Sequence, residues 1–260
     1  MTTVKASKAI AYSCAHGLWK LFGLRQPGDL RLENLAMARG VYVHDAVLPS
    51  AEARLIRQGG KGIIRVREGL RPATRRRFVI AHELGHWELH SKISQLFVCT
   101  EEDMIADYRK SPVEAEANYF ASALLMPAQL FAALMPAGAP TFATLNHLAD
   151  QFGTSLTATA IRWMDLAKDY CALVECKNGR IKWWRGSDNF ESALWITAGQ
   201  PVSSYAVASR VNAQMPHHPA HIVSIDTWAE VRDELSTDEL TEEAIYDAAY
   251  GRTLSLLWIP

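Results

Sequence analysis

The residues best suited to do chemistry in this chain lie in the segment RRRFVIAHELGHWELH. His82, Glu83 and His86 form the pattern HExxH within a stretch whose periodicity predicts a helix. Residues four apart lie one turn above each other on a helix, so both imidazoles can present a nitrogen to one zinc ion. Glu83 is then placed to take a proton from a metal-bound water. The pattern therefore predicts a hydrolytic zinc site with Glu83 as its general base.

A hydrolytic zinc site needs a third protein ligand and an open fourth position. Glu114 and Glu116 are the candidates, at the start of a second predicted helix over 112–126. We favour Glu114, because Asn118 follows it by four residues on the same face. This arrangement resembles the gluzincin plan, in which an Asp or Asn at that position steadies a ligand histidine. Glu116 is also explained as a carboxylate favoured by the dipole of a helix N-terminus.

His90 is a weaker ligand candidate than the two histidines of the motif. It lies two turns beyond His82, about 12 Å along the helix axis, so the three histidines should not converge on one ion. We expect His90 to support a ligand histidine or to lie in the core. The alternative to a metal site is a core helix with incidental histidines. Gly85 costs about 1 kcal/mol of helix propensity relative to Ala, which indicates close packing at the motif.

Two segments together resemble the ImmA/IrrE metallo-endopeptidase family. The first runs from Arg76 to His86 and the second from Glu114 to Pro127. The resemblance is specific over about residues 30–130. It implies a cytoplasmic zinc endopeptidase whose substrate is a helix-turn-helix transcriptional repressor, and whose activity releases genes for stress response or mobile-element transfer.

The resemblance also assigns roles by position. It implies that zinc is bound by His82, His86 and Glu114, with Glu83 as general base and Asn118 behind a ligand. It does not identify the residue that stabilises the oxyanion, for which the candidates are His90, Tyr108 and Tyr119.

Composition limits the other classes of function. The 260 residues are 49% apolar and 21% charged with a net charge of −1, so charge does not favour nucleic acid or a membrane as the main partner. We expect no membrane span, because no apolar run reaches the roughly 18–20 residues needed. We expect the four cysteines to be buried thiols in a reducing cytoplasm. They are Cys14, Cys99, Cys171 and Cys176.

The order of patterns predicts an α+β protein in three parts. Residues 1–135 form a mainly helical zinc-peptidase domain with a small β-sheet. Residues 136–168 form a helix-turn-helix-like connector. Residues 169–260 form an α+β C-terminal domain with a regulatory or docking role, which in some members of the resembled family is similar to a GAF-type fold.

Several elements are predicted within these parts. We expect a hairpin over 53–66 and another at Asn178-Gly179, and a polar connection with local helix over 91–111. The predicted helices cover 4–24, 30–39, about 73–90, 112–126 and, as a pair around Gly153, 141–167.

Other polar clusters have ordinary structural explanations. Arginines at the start of the motif helix (71, 75, 76 and 77) are expected to face solvent or to contact a partner. Direct DNA binding is not expected, because only Arg162 on the second connector helix could read bases. His217, His218 and His221 are expected in an exposed loop rather than a second metal site. The rival functions are a non-catalytic regulator that keeps the fold and a DNA-binding regulator.

Overall fold

The computed structural model describes residues 6–94, 96–100 and 111–260. The described chain is mixed α+β, with a helical N-terminal part and a β-rich C-terminal part, as the sequence predicts. It divides into two compact units. The first extends to Leu134 and includes Ala149–Ser155, and the second comprises Met135–Leu148 and Leu156–Pro260. The three-part division at residues 135 and 168 stays a prediction.

The elements of the N-terminal part follow in chain order. They are α1 (Lys8–Leu21), α2 (Leu32–Ala38), β1 (Val41–Ala46), β2 (Ala53–Gln58), β3 (Lys61–Arg67), α3 (Ala73–Leu89), β4 (Leu96–Cys99), α4 (Pro112–Leu125) and α5 (Ala128–Leu134). A 3-10 turn, Pro27–Asp29, precedes α2.

The remaining elements run to the C-terminus. They are α6 (Phe142–Phe152), α7 (Leu156–Leu166), β5 (Cys171–Lys177), β6 (Arg180–Gly186), α8 (Asp188–Ala193), β7 (Leu194–Trp195), β8 (His217–Ser224), β9 (Glu230–Val231), β10 (Glu239–Asp247) and β11 (Arg252–Trp258). Short 3-10 turns lie at Val207–Ser209 and Ile225–Thr227.

Helix α3 forms the centre of the first unit. Every residue from Val79 to Trp87 is buried, so the helix is covered on all sides rather than along one stripe. Helix α4 packs along α3, and α1 packs on α4. The Trp19 indole of α1 donates a hydrogen bond of 2.8 Å to the Leu124 carbonyl at the end of α4. The predicted motif helix is therefore a core helix, and its polar residues are buried with it.

A four-stranded sheet of order β1-β3-β2-β4 accompanies these helices. The predicted hairpin is confirmed: β2 and β3 pair antiparallel, and β1 runs parallel to β3. Gly59 turns the hairpin with a φ of 59°, a conformation that favours glycine.

Strand β4 corrects the prediction for residues 91–111. Leu96–Cys99 is not a polar connection but a strand that pairs antiparallel with β2 at the edge of the sheet. Four residues carry too little periodicity to be recognised alone, and their partner lies about forty residues earlier in the chain. Only the assembled sheet defines this strand.

Helix α4 has clear signals at both ends. Pro112 occupies its first turn, where a missing N–H costs nothing, and the Ser111 hydroxyl accepts a hydrogen bond from the Glu114 amide. The helix ends at Leu125, just before Met126-Pro127, as expected from the restriction that proline places on the preceding residue. These limits fix the position of the first turn, which carries Glu114.

The second unit contains an antiparallel sheet of order β6-β5-β11-β10-β8. The predicted turn between β5 and β6 is confirmed, with φ angles of 53° at Asn178 and 68° at Gly179. Glu242 of β10 is fully buried and accepts hydrogen bonds from the Val207 and Ala208 amides, the Trp228 indole and the Ser255 hydroxyl. This carboxylate ties the long connection before β8 to the sheet. The GAF-type resemblance of this region stays a prediction.

The sequence predicted a loop for the histidines near residue 217, but the structure places them on β8. The strand pairs with β10, and this distant pairing overrides the local turn signal of Pro216 and Pro219. The His217 ring contacts the Glu243 carboxylate at 3.0 Å, and the rings of His218 and His221 lie 6.1 Å apart.

The two short helices predicted over 141–167 are confirmed as α6 and α7. Arg162 of α7 is only 1% exposed, so it is not presented for base reading. In the described ranges no single helix has both the length and the apolar character to cross a bilayer. The pair Pro112–Leu125 and Ala128–Leu134 meets that test jointly, with a bend of 54° between them.

Candidate metal centre

Two helices bring three donor groups together in the first unit. Helix α3 supplies His82 and His86, and the first turn of α4 supplies Glu114. The Nε2 atoms of the two histidines lie 3.1 Å apart. The Glu114 Oε2 atom lies 3.1 Å from the first and 3.2 Å from the second. The residues favoured from sequence therefore form one triangle of donor atoms.

Hydrogen bonds behind the imidazoles define which nitrogen faces this triangle. His82 Nδ1 donates to the Asn118 Oδ1 atom at 2.9 Å, which leaves its Nε2 atom as an acceptor. On the other side, the Nδ1 atoms of His86 and His90 lie 2.9 Å apart, and His90 Nε2 donates to Glu116 at 3.0 Å. Because His90 Nδ1 is then the acceptor, His86 donates from Nδ1 and also keeps Nε2 as an acceptor.

This second chain of contacts continues to the start of α1. The Glu116 Oε1 atom accepts a hydrogen bond of 2.7 Å from the Ser7 amide at the N-cap of that helix. Glu116, the alternative ligand from sequence, is thus engaged by His90 and Ser7 rather than by the donor triangle. His90 lies behind His86, and Asn118 lies behind His82.

The charge states of these groups suit a cation. Burial lowers the pKa of His86 to about 4, although the Glu114 contact opposes this change, so the imidazole is neutral near pH 7. Burial would raise the pKa of Glu114, but the hydrogen bonds with His82 and His86 outweigh burial and hold that pKa well below its ordinary value. The triangle therefore contains the neutral imidazole of His86 and the carboxylate anion of Glu114.

These donor atoms fit a zinc ion. Three acceptors facing one another at 3.1–3.2 Å repel unless a cation or proton lies among them. Zinc ligands at 2.0–2.1 Å in a tetrahedron are separated by about 3.3 Å, close to the observed spacing. Two imidazoles and a carboxylate are also a common ligand set of catalytic zinc.

A fourth donor, Cys99, was not recognised in this role from the sequence. It is the last residue of β4, it is buried, and its Sγ atom lies 3.7 Å from His86 Nε2. The donor atoms of His82, His86, Cys99 and Glu114 all lie within 4.8 Å of one another. Its burial and its lack of a disulfide agree with the expectation, but no local spacing connects it to the HExxH motif.

Gly85 explains how α3 and α4 come close enough to share a site. A Cβ atom at this position would lie 3.0 Å from the Ala117 Cα atom, 3.1 Å from its carbonyl oxygen and 3.1 Å from the Phe120 ring. Ala117 lies between Glu114 and Asn118 in the chain, so the closest approach of the backbones occurs beside the donor groups. The close packing expected from sequence is therefore found, and glycine is what permits it.

The remaining predicted residues lie in varied settings. Glu83 is fully buried next to His82 in the core. Of the candidates for oxyanion stabilisation, His90 contacts His86, the Tyr119 ring packs edge-on against Tyr12, and Tyr108 lies outside the described residues.

Three of the four arginines in the cluster at the start of α3 are engaged within the first unit. Arg75 pairs with Glu52, Arg76 pairs with Glu33 and Asp45, and Arg77 donates to the Gly153 carbonyl. The fourth arginine of the cluster, Arg71, is exposed, as expected.

Comparisons with known proteins agree with this arrangement. The chain resembles a solved structure of a Mycobacterium tuberculosis transcriptional regulator, with a TM-score of 0.58 and 21% identity over 96% of this chain and 87% of that one. This likeness concerns the fold. A search of curated proteins gave no match. Residues 36–164 match the Peptidase_M78 family model, described as the IrrE N-terminal-like domain, and this segment contains all four donor residues. Residues 36–164 are therefore an IrrE N-terminal-like Peptidase_M78 domain, as the ImmA/IrrE resemblance predicted.

Proposed function

We propose that this chain is a zinc-dependent endopeptidase whose substrate is a helix-turn-helix transcriptional repressor. The observation that carries the proposal is the meeting of His82, His86 and Glu114 at 3.1–3.2 Å. The Peptidase_M78 domain supports peptide-bond hydrolysis. The choice of a repressor, and of stress-response or mobile-element genes as the outcome, rests on the family resemblance.

In this proposal, His82 Nε2, His86 Nε2 and Glu114 Oε2 would hold the zinc ion. When bound there, zinc supplies Lewis-acid chemistry for hydrolysis of an amide. Asn118 and His90 act as positioning residues, because each occupies the far nitrogen of a ligand imidazole and so fixes the ring. The Glu114 carboxylate compensates part of the ion's charge in a buried site.

Glu83 is the general base and then the general acid. It follows His82 directly on α3, so its side chain lies beside the helix face that bears the two imidazoles. It takes a proton from the attacking water and delivers that proton to the nitrogen of the leaving amine. Its side chain is fully buried.

The test uses the helix-turn-helix protein encoded next to this chain. The native chain, loaded with one equivalent of zinc, should cut that protein at a defined bond seen by mass spectrometry. Glu83→Gln should bind zinc with unchanged stoichiometry and should not cut. Glu52→Gln is a matched control, because Glu52 is also a buried carboxylate of the first unit but pairs with Arg67 and Arg75. Cleavage that persists in Glu83→Gln refutes the proposed mechanism.

A non-catalytic regulator is the second candidate, and the position of Cys99 favours it. Four protein donors without an open position are typical of structural zinc sites. Such a protein would bind the repressor without cutting it, and Glu83→Gln would then leave repressor binding and gene release unchanged. DNA binding is a poorer candidate because Arg162 is buried. We place the activity in the cytoplasm, as the family resemblance implies.

A further inference from the structure

Strand β4 brings two side chains to the same ligand histidine. Cys99 Sγ lies 3.7 Å from His86 Nε2, and the Phe97 ring stacks on the His86 imidazole with centroids 4.2 Å apart. Both residues point to one side of the strand, because side chains alternate along it. Strand β4 thus adds side chains to a site whose other donor groups come from α3 and α4.

The spacing of Cys99 matches that of a zinc ligand. A thiolate 2.3 Å from zinc and an imidazole nitrogen 2.0–2.1 Å from it are separated by about 3.6 Å in a tetrahedron. The observed separation is 3.7 Å, and the four donor atoms lie within 4.8 Å of one another. Thiolate is also a ligand that zinc binds strongly. The Cys99–His86 separation therefore agrees with tetrahedral coordination, and the other donor atoms lie near the same point.

We propose that Cys99 is a fourth zinc ligand and that this conformation is a closed, latent form of the site. A catalytic zinc site keeps its fourth position for water or substrate, and here a thiolate takes that position. The latent character rests on the proposed function, whereas the ligand assignment does not. The closed form would open by withdrawal of β4, a four-residue strand at the sheet edge whose partner strand among the described residues is β2.

The ligand assignment is tested by replacing zinc with Co²⁺. Cobalt bound to a thiolate absorbs in the near ultraviolet by charge transfer from sulfur, whereas histidine and carboxylate ligands give no such band. The native chain should bind one Co²⁺ and show the band. Cys99→Ser and Cys99→Ala should still bind one Co²⁺, more weakly and without the band. Cys14→Ser is the matched control and should keep it, because Cys14 lies half-buried on α1.

The native spectrum alone can overturn the assignment, so the test does not depend on the variants folding. A native chain that binds one Co²⁺ without a sulfur band refutes Cys99 as a ligand. A band that persists in Cys99→Ser assigns the sulfur to another residue and also refutes it. Glu114→Gln should weaken cobalt binding in the native background, and this locates the ion at the site described.

The latent form is tested by cleavage of the neighbouring helix-turn-helix protein with zinc bound. If the closed form holds about nine chains in ten, Cys99→Ala should cut roughly tenfold faster than the native chain. An equal rate would refute latency and leave the ligand assignment standing. A sulfur band with no cleavage by either protein would refute the proposed function instead. Cleavage by a native chain that lacks the band would refute the fourth ligand and the latent form together, and the proposed function would stand.

Discussion

Replacing Gly85 with alanine should separate α3 from α4 and weaken metal binding. The added Cβ would lie 3.0 Å from the Ala117 Cα atom, whereas ordinary contact begins at 3.4 Å. The two backbones must therefore move apart by about 0.4 Å or more. Because this neighbour is a backbone atom, no side-chain rotation can relieve the contact. The helices that must shift are α3 and α4, which carry three of the donor groups.

The net effect on stability combines two opposing contributions. Alanine should stabilise the helix by about 1 kcal/mol relative to glycine. Overpacking of a close contact costs about 1–3 kcal/mol. We therefore expect Gly85→Ala to change the free energy of unfolding by between about zero and 2 kcal/mol in the unfavourable direction. Zinc affinity should fall more clearly, by roughly 10–100-fold, the loss typical of disturbed support around a metal ligand.

Gly17→Ala is the matched control for helix propensity. Gly17 lies within α1, and a Cβ there would meet nothing within 4 Å. This variant should gain about 1 kcal/mol of stability and leave zinc binding unchanged. Urea unfolding of the metal-free proteins and competition titration with a chromogenic chelator give both quantities. A Gly85→Ala protein that gains stability as Gly17→Ala does, and binds zinc as tightly as the native chain, would contradict a close approach of α3 and α4 at this glycine.

Three further predictions concern single polar groups. Asn118→Ala removes the hydrogen-bond acceptor behind the His82 imidazole, so zinc affinity should drop about 10–100-fold. Chelator competition measures this affinity, and an unchanged value would contradict the positioning role of Asn118. Metal-free protein should lose about 2 kcal/mol of its free energy of unfolding when the pH falls from 7 to 5. The pKa of His86 is about 4 in the folded protein and 6.5 in the unfolded chain, so over this pH range the unfolded chain takes up a proton that the folded protein does not. Urea titration of His86→Gln should show this slope reduced. Glu242→Ala leaves buried hydrogen-bond donors without their acceptor, so the free energy of unfolding should fall by about 3–5 kcal/mol in thermal unfolding. Glu239 is exposed on the same strand, and Glu239→Ala should change stability little.

Predictions from local spacing agreed well with the structure. The helical period places His82 and His86 on one face, and the turn signals define both hairpins before any tertiary contact is known. Helix α4 begins at a proline after a capping serine and ends before another proline, so its limits are also local. Glu114 was favoured over Glu116 through a resemblance, and the structure brings Glu114 to the imidazoles and Glu116 to His90.

Features that depend on distant pairing could not be predicted. Strand β4 is too short for a periodic signal. The histidines of β8 were expected in a loop because Pro216 and Pro219 outweighed a pairing with β10 that no local pattern reveals. Cys99 looked like an ordinary buried thiol for the same reason. Its donor role depends on the register of β4 against β2.

The sequence by itself determined the helices, the turns and the two imidazoles that share a helix face, because each depends on residues within a few positions of one another. Only the tertiary structure decided that Glu114 and Cys99, from another helix and from a sheet edge, reach the same point as those imidazoles. The physical reason is that a metal site is defined by distances of a few ångströms between atoms, and such distances are fixed by packing between elements rather than by the order of residues along the chain.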